Sequence, residues 1–408
     1  MEKEQAFLPV LLGSGMNAYG MARAFFEAYG LKPLVLGNSQ LPATQDSRIL
    51  TFYRIDKLNS QEVFLPELEK VAAQIPNRKL LLLACGDDYA QLIIRNKEKL
   101  EKHFTVPYIS KALMEELLSV EGFQRHWDKY NFSYPTSTTV SIHNFEHFTP
   151  PFDYPIIMKP ANLLTFWDYA FPARKKVFIA QDHAEQTAIL KAIYSSTYQD
   201  EMIVQQYIPG DDTNLRVLDA YVDKNGKAKL LALGNPMLQE HLPEGIGSYG
   251  AIITTYDQEL MDGVRYFLEG IGYTGLASFT FKYDSRDGQY KLLKMSIRNS
   301  RSSYFVTASG HNLMQYIADD HMLHIHHSLT YVQDKHLWMI LPKNILFKYA
   351  SNEKLKIEAK SLIRQGKFTN SLFYEQDMNP KRWTKLTLNR LGYYRSYKKH
   401  INNKDLSE

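Results

Sequence analysis

Apolar and polar positions recur along this chain with two different periods, and their order predicts its architecture. Residues 8–12 hold Leu8, Val10, Leu11 and Leu12 in one run, the pattern of a strand buried on both faces. The run enters Gly13-Ser14-Gly15, and over residues 17–26 the apolar residues return at helical spacing. Gly30 suits the C-cap of that helix. Residues 33–36 predict a second strand, and residues 80–84 a third, followed by a polar turn, Gly86-Asp87-Asp88. Strands that alternate with helices in this way imply an open parallel sheet.

A second region opens near Met114 with a helix predicted to about residue 130. Strands follow at 154–159 and 176–180, then a helix at 184–194 and a strand at 202–206. Residues 216–221 and 228–234 flank Asp223-Lys224-Asn225-Gly226, and residues 277–283 and 290–295 flank Ser285-Arg286-Asp287-Gly288. Both loops carry hairpin chemistry, so the middle of the chain is α+β with antiparallel pairs. From about residue 330 the pattern becomes mixed and increasingly basic, without a turn-rich linker, and no internal repeat is found.

Composition removes several classes. The 408 residues are 44% hydrophobic and 23% charged, which suits a sizeable core and not a disordered chain. The longest apolar stretch, near residues 80–85, is far below the ~20 residues that a bilayer span needs, and Met1-Glu2-Lys3-Glu4-Gln5 is not a signal peptide. A cytoplasmic protein is therefore expected. The single cysteine, Cys85, leaves no internal disulfide or cysteine-rich metal site and reads as a core residue.

Local motifs say less. Gly13-Ser14-Gly15-Met16-Asn17-Ala18 fits the glycine pattern of a dinucleotide site, but the second strand ends in Gly37-Asn38 where an acid should meet the ribose. A tight turn in a parallel sheet is the plainer reading. No P-loop occurs. Asp320, His324 and His327 fall at i, i+4 and i+7, which would bring them to one helical face as a metal site unless these imidazoles only solvate a helix end.

Three stretches of the middle region carry more: Tyr154-Pro155-Ile156-Ile157-Met158-Lys159-Pro160, then Gln205-Gln206-Tyr207-Ile208-Pro209-Gly210-Asp211-Asp212, then Lys294-Met295-Ser296-Ile297-Arg298-Asn299-Ser300-Arg301. In this order and spacing they resemble the ATP-grasp fold, and more closely the carboxylate–amine ligases that include the D-aspartate ligases of peptidoglycan cross-bridge synthesis. The resemblance runs from the first strand through Gly272-Tyr273-Thr274-Gly275 to the basic tail. It implies a parallel pre-ATP-grasp α/β domain over residues 1–115, an ATP-grasp pair of subdomains over 116–205 and 206–330, and a basic extension over 331–408.

Carried over by position, the resemblance gives Lys159 the ATP phosphates, Gln206, Tyr207 and Ile208 the hinge that reads adenine, and Asp211 or Asp212 the ribose. Arg298 and Arg301 match the family's arginines beside the reacting carboxylate, where fixed positive charge stabilises an acyl phosphate. Glu240, His241, Gly247 and Ser248 match the loop over the substrate. The implied reaction is ATP-dependent amide formation between an amino-acid carboxylate such as that of D-aspartate and an amine of a cell-wall peptide precursor.

The departures concern magnesium. Thr280, Lys294 and Ser296 stand where similar proteins carry an Asp, a Glu and an Asn as metal ligands, and Val120 stands where the first phosphate-binding lysine is expected. Mg²⁺ requires hard anionic oxygens, so ATP is the expected cofactor and Mg²⁺ is expected to bind weakly or not at all. The rival reading is a catalytically impaired paralogue that binds or regulates, in partnership with an active paralogue.

Charge adds one more expectation. Residues 381–404 hold eight Lys and Arg and no acid, which leaves 40 basic and 42 acidic residues in the first 380. Trp383, Leu386, Leu388, Leu391, Tyr393, Tyr394 and Tyr397 interleave with the cations. Two readings stand side by side: a segment docked on the body with its lysines in water, or a surface drawn to an anionic membrane, which would make the protein peripheral at the inner membrane face. Nucleic acid is not expected, because no groove-reading module accompanies the charge.

Overall fold

The computed structural model describes residues 7–161, 166, 169, 171, 174, 175, 177–240 and 248–401, with the backbone alone for 120, 121, 396 and 399–401. Three sheets organise the chain. The first contains β1 (Phe7–Leu12), β2 (Leu34–Gly37), β3 (Thr51–Arg54), β4 (Lys79–Ala84) and β5 (Phe104–Thr105), in the order β3-β2-β1-β4-β5 with every pair parallel. This is the open sheet that the alternation predicts. Every residue of β1 is buried, because helices cover both faces. The Met16–Tyr29 helix ends on Gly30 at φ 69°, whose N–H reaches Phe26 O at 2.8 Å.

The chain winds outward from β1 to β3 and then returns to β4, so the order reverses between β1 and β4. A crevice therefore opens beyond their carboxyl ends, where such sheets bind ligands. Two turns form its walls, Gly13-Ser14-Gly15 after β1 and Cys85-Gly86-Asp87 after β4. They pack so closely that a Cβ on Gly13, at φ 126°, would lie 2.9 Å from Cys85 Cβ.

The single helix expected from Met114 to about residue 130 is two helices, Lys111–Leu118 and Val120–Lys129. Ser119 between them is extended at ψ 147°, and its hydroxyl oxygen accepts the Gly122 N–H. The second helix places Trp127, fully buried, against Phe123, Phe132, Phe267 and Phe279.

The second sheet is small and antiparallel: β6 (Ser137–Val140), β7 (Ile156–Pro160), β8 (Phe178–Ala180) and β9 (Met202–Gln206), in the order β6-β9-β7-β8. The His183–Tyr194 helix covers it, and Val140, Ile156, Met158, Leu190 and Val204 belong to a core of its own.

The third sheet has eight strands: β10 (Leu215–Val222), β11 (Ala228–Gln239), β12 (Tyr249–Thr255), β13 (Gly275–Asp284), β14 (Gln289–Ser296), β15 (Thr330–Tyr331), β16 (Leu337–Met339) and β17 (Phe368–Asn370). Its order is β14-β13-β10-β11-β12-β16-β17, with β15 on β11. Both expected hairpins form, with Gly226 and Gly288 at φ 71° and 75°. Residues 331–370 thus continue the sheet begun at Leu215.

The basic tail is helical over Pro380–Ile401 and lies on the body. Arg382, fully buried, donates to Ala43 O (3.0 Å) and Gln45 O (2.8 Å), pairs with the fully buried Asp377 (3.1 Å) and covers the Tyr19 ring at 4.3 Å. Leu386 and Tyr397 are buried on the same side, and Tyr397 Oη donates to Gln239 O at 2.7 Å. The docked arrangement of the two readings is the one observed for this inner face.

The metal reading of Asp320, His324 and His327 fails on geometry. Asp319–Leu323 is a π-helical turn ended by His324 in the left-handed region at φ 58°, so no continuous helical face links the three. Asp320 accepts from Tyr221 Oη (2.7 Å), and His327 Nε2 lies 2.7 Å from Asp319 Oδ2.

Candidate functional site

The loop after β14 enters the crevice of the first sheet. Asn299 Nδ2 donates to Asn17 Oδ1 (2.9 Å) and to Ser303 Oγ (2.7 Å), and Asn17 in turn donates to Cys85 O (3.1 Å). Arg298 Nε pairs with Asp87 Oδ1 at 2.8 Å, and Lys294 Nζ lies 3.0 Å from Asp87 Oδ2. Desolvation at the cleft floor works against the Asp87 charge, but Arg298 and Lys294 outweigh it and hold the carboxyl well below the usual range. Asp87 opens the Asp87–Arg95 helix, where the positive end of the helix also favours an anion.

A second carboxylate sets the loop from below. Asp219 on β10 is fully buried and accepts Ser300 N–H and Ser300 Oγ–H, both at 2.7 Å. Burial pushes its carboxyl up to about 6, against the opposing bonds from Ser300 and Ser278 and the charge of Arg298. Arg298 and Arg301 therefore leave a short loop fixed at Asn299 and Ser300.

Arg301 Nη1 pairs with Glu240 Oε2 at 3.0 Å, the arginine side chain 41% exposed and the glutamate 4%. Glu240 Oε1 is buried without a hydrogen-bond partner among the described residues. Glu240 N–H reaches Ser248 O at 2.8 Å, which closes the base of the expected substrate loop. Ser248, expected in that loop, immediately precedes β12, which begins at Tyr249. His241 and Gly247 lie outside the described residues. Beside Arg301, a gap of about 10 Å³, room for about one water, is lined by Met16, Tyr249, Tyr304, Trp338, Ile340 and Ser371. The Trp338 Nε1 donor is likewise buried without a partner among the described residues.

The expected nucleotide residues gather at the junction of the second and third sheets. Lys159 on β7 reaches Gln205 Oε1 at 3.3 Å, one residue before the hinge. Gln206 N–H bonds Thr136 O (2.9 Å), and Tyr207 O accepts from Arg286 (3.3 Å), so these two backbone groups are already engaged. Ile208 is buried. The hinge borders an open cleft lined by Phe152, Tyr154, Gln206, Tyr207 and Arg286. Asp212 accepts Gln239 N–H (2.8 Å) and Gln239 Nε2 (2.5 Å). Asp211 accepts from Thr213 and Ser351, bonds that outweigh its burial and hold it below the usual carboxylate range.

Lys282 on β13 joins this group. Burial lowers its ammonium pKa, opposed by Asp212, Asp211 and Asp284, and Nζ lies 5.3 Å from the centre of the Tyr207 ring. Neither Asp87, Asp219 nor Lys282 was marked by a motif. The signals that existed were positional: acids in the first helical turn after a central parallel strand, and an acid inside the apolar run of β10.

The three positions at issue for magnesium share one face. Thr280 stands opposite Lys294 across β13 and β14, and Ser296 stands opposite Ser278. Lys294 presents a cation there, Asp87 is held by two cations, and Asp219 is enclosed by Ser300. These residues do not fit a divalent metal that requires anionic oxygens.

No family model matches the chain. The chain is 36% identical over 415 residues to the D-aspartate ligase of Enterococcus faecium (strain Aus0004), covering 99% of each. Among solved structures, N5-carboxyaminoimidazole synthetase from Staphylococcus aureus superposes with a TM-score of 0.58 at 15% identity, over 88% of both chains. An ADP complex of purK, N5-carboxyaminoimidazole ribonucleotide synthetase, gives 0.60 at 14%, over 88% of this chain and 85% of that one. L-amino acid ligase from Bacillus licheniformis gives 0.55 at 13%, over 78% and 74%. These structures share the fold, and the full-length sequence relation adds the lineage: the chain belongs to the ATP-grasp carboxylate–amine ligases, in the family of D-aspartate ligase.

Proposed function

We propose that the protein is an ATP-dependent ligase that joins the carboxylate of D-aspartate, or a similar amino acid, to an amine of a cell-wall peptide precursor. The observation that carries this reading is the pair of Arg301 and Glu240, a half-exposed cation on a buried carboxylate whose second oxygen, Oε1, has no hydrogen-bond partner among the described residues, in a chain related over its full length to D-aspartate ligase. A buried orphan polar atom is costly unless a ligand completes it. An amino acid supplies both complements, an ammonium for the Glu240 acceptor and a carboxylate for the Arg301 guanidinium.

In this reading a carboxylate oxygen of the donor attacks the γ-phosphorus of ATP, and ADP leaves. The amine nitrogen then attacks the acyl carbon, the C–O bond to phosphate breaks, and the amine gives up a proton. Arg298 and Arg301 face the charge that develops on the carboxyl and phosphoryl oxygens. Lys159 and Lys282 face the nucleotide phosphates, Asp211 and Asp212 the ribose, and the hinge at residues 206–208 the adenine. No step is assigned to a metal held by Thr280, Lys294 or Ser296.

The test is incubation with ATP, D- or L-aspartate and a lysine-containing peptide precursor, reading ADP, phosphate and the amide by mass spectrometry. Equal amounts of ADP and a D-aspartyl product, lost in Arg301→Ala, are expected. A second reading, a nucleotide-binding paralogue without turnover, is favoured by one observation: Lys294 occupies the metal face and is ion-paired to Asp87. ATP binding by calorimetry with no ADP formed from any amino acid would establish that reading and overturn the first.

A further inference from the structure

The tail helix has a second face that the body does not use. Its inner side is committed: Arg382, Leu386 and Tyr397 are buried, and Lys385 pairs with Asp46 at 2.6 Å. On the outer side Trp383, Leu388, Leu391 and Tyr394 are 54%, 61%, 52% and 42% exposed. Of the eleven large apolar side chains exposed among the described residues, these four lie on one 22-residue helix. Trp383, Leu391, Tyr394 and Lys398 follow one helical stripe, with Leu388 and Arg395 beside it and Lys381 at its rim. The helix contains no Asp or Glu.

We propose that this outer face docks the protein on an anionic lipid leaflet. Trp383 and Tyr394 suit the headgroup level, Leu388 and Leu391 the upper acyl region, and Lys381, Arg395 and Lys398 the lipid phosphates. The helix lies on the membrane and does not enter it, since no described helix is long and apolar enough to cross. Because Arg382 and Tyr397 clamp its opposite side, the apolar stripe is held outward and is not a fraying end.

Charge selects this partner over two others. A second copy meeting this face symmetrically would set Lys381, Arg395 and Lys398 against their own counterparts with no acid to pair them. A nucleic acid would use the cations but leave Leu388 and Leu391 without a role. The same helix touches Gln239, one residue before Glu240, so a docked protein would hold its substrate cleft at a fixed distance from the bilayer.

Deleting the helix would remove the buried Arg382, so point variants on the outer face test the idea. The full chain is sedimented with phosphatidylcholine vesicles with or without ~30% phosphatidylglycerol, at about 0.05 M and about 0.5 M salt. Tryptophan emission is followed in parallel, with Trp383→Phe as the control for the other three tryptophans. Binding at least roughly tenfold stronger to the anionic vesicles, lost at high salt and accompanied by a blue shift, is expected. Trp383→Ser/Leu391→Ser/Tyr394→Ser and Lys381→Gln/Arg395→Gln/Lys398→Gln should each weaken it about tenfold or more with an unchanged urea midpoint. Failure to bind anionic vesicles at low salt overturns the proposal, as does equal binding by folded variants. Dimerisation or DNA binding through this face without vesicle binding overturns it in favour of those partners.

Discussion

Lys294 Nζ lies 3.0 Å from Asp87 Oδ2, a bond between β14 at the edge of the large sheet and the first helical turn after β4 of the N-terminal sheet. The cation stands on the face where relatives of this fold are expected to hold a metal, and the anion that answers it comes from 207 residues earlier in the chain. Charge on this face is therefore balanced by the protein itself.

The first consequence is that ATP binding should depend little on Mg²⁺. Titration calorimetry with and without the metal should give dissociation constants within about threefold of each other, because Thr280, Lys294 and Ser296 supply no anionic oxygen. A steep metal dependence would show that nucleotide phosphates and other groups recruit the ion unaided.

Rebuilding the anionic set should reverse this. Thr280→Asp with Lys294→Glu and Ser296→Asn adds two carboxylates on neighbouring strands beside Asp87, which loses one of its two cations. Mg²⁺-dependent ATP binding should tighten by about tenfold or more, and the same calorimetry reads it. An unchanged metal response would mean that the side chains of β13 and β14 do not converge on the nucleotide.

Asp219 predicts a pH dependence. Its folded carboxyl is raised to about 6 from an ordinary 3.8, so between those values the native state binds more protons than the unfolded one. Its contribution is favourable below about pH 4 and is lost as pH rises through 6. Measured against Asp219→Asn by urea unfolding, the native chain should lose up to about 3 kcal/mol of relative stability between pH 4 and 7. A flat difference would mean that the Ser300 bonds offset the burial.

The two faces of the tail helix predict opposite sensitivities. Arg382→Met strands the fully buried Asp377 charge beside Tyr19 and Ser47 and should cost about 3 kcal/mol or more. Trp383→Ala, one residue on and exposed, should stay within about 0.5 kcal/mol. Equal losses in denaturant midpoints would mean that the helix is oriented otherwise.

What the sequence by itself determined is local or periodic. The apolar run of β1 and the glycine turn after it, and the hairpins at Gly226 and Gly288, depend on residues close in the chain, and the short motifs around Lys159, residues 206–208 and Arg298 with Arg301 are each local as well. Helical period, turn chemistry and motif spacing report these directly. The break at Ser119 escaped the pattern because a capping hydroxyl can end a helix without disturbing its apolar periodicity. Tertiary structure decided the rest. Asp87 meets Lys294 and Arg298, Asp219 holds Ser300, and Arg382 seats the tail on residues 43–45, each across tens to hundreds of residues. An unpaired charge has no period, and its partner is chosen only when folding removes water from both, so the charge balance of the site and the outward face of the tail become legible in three dimensions alone.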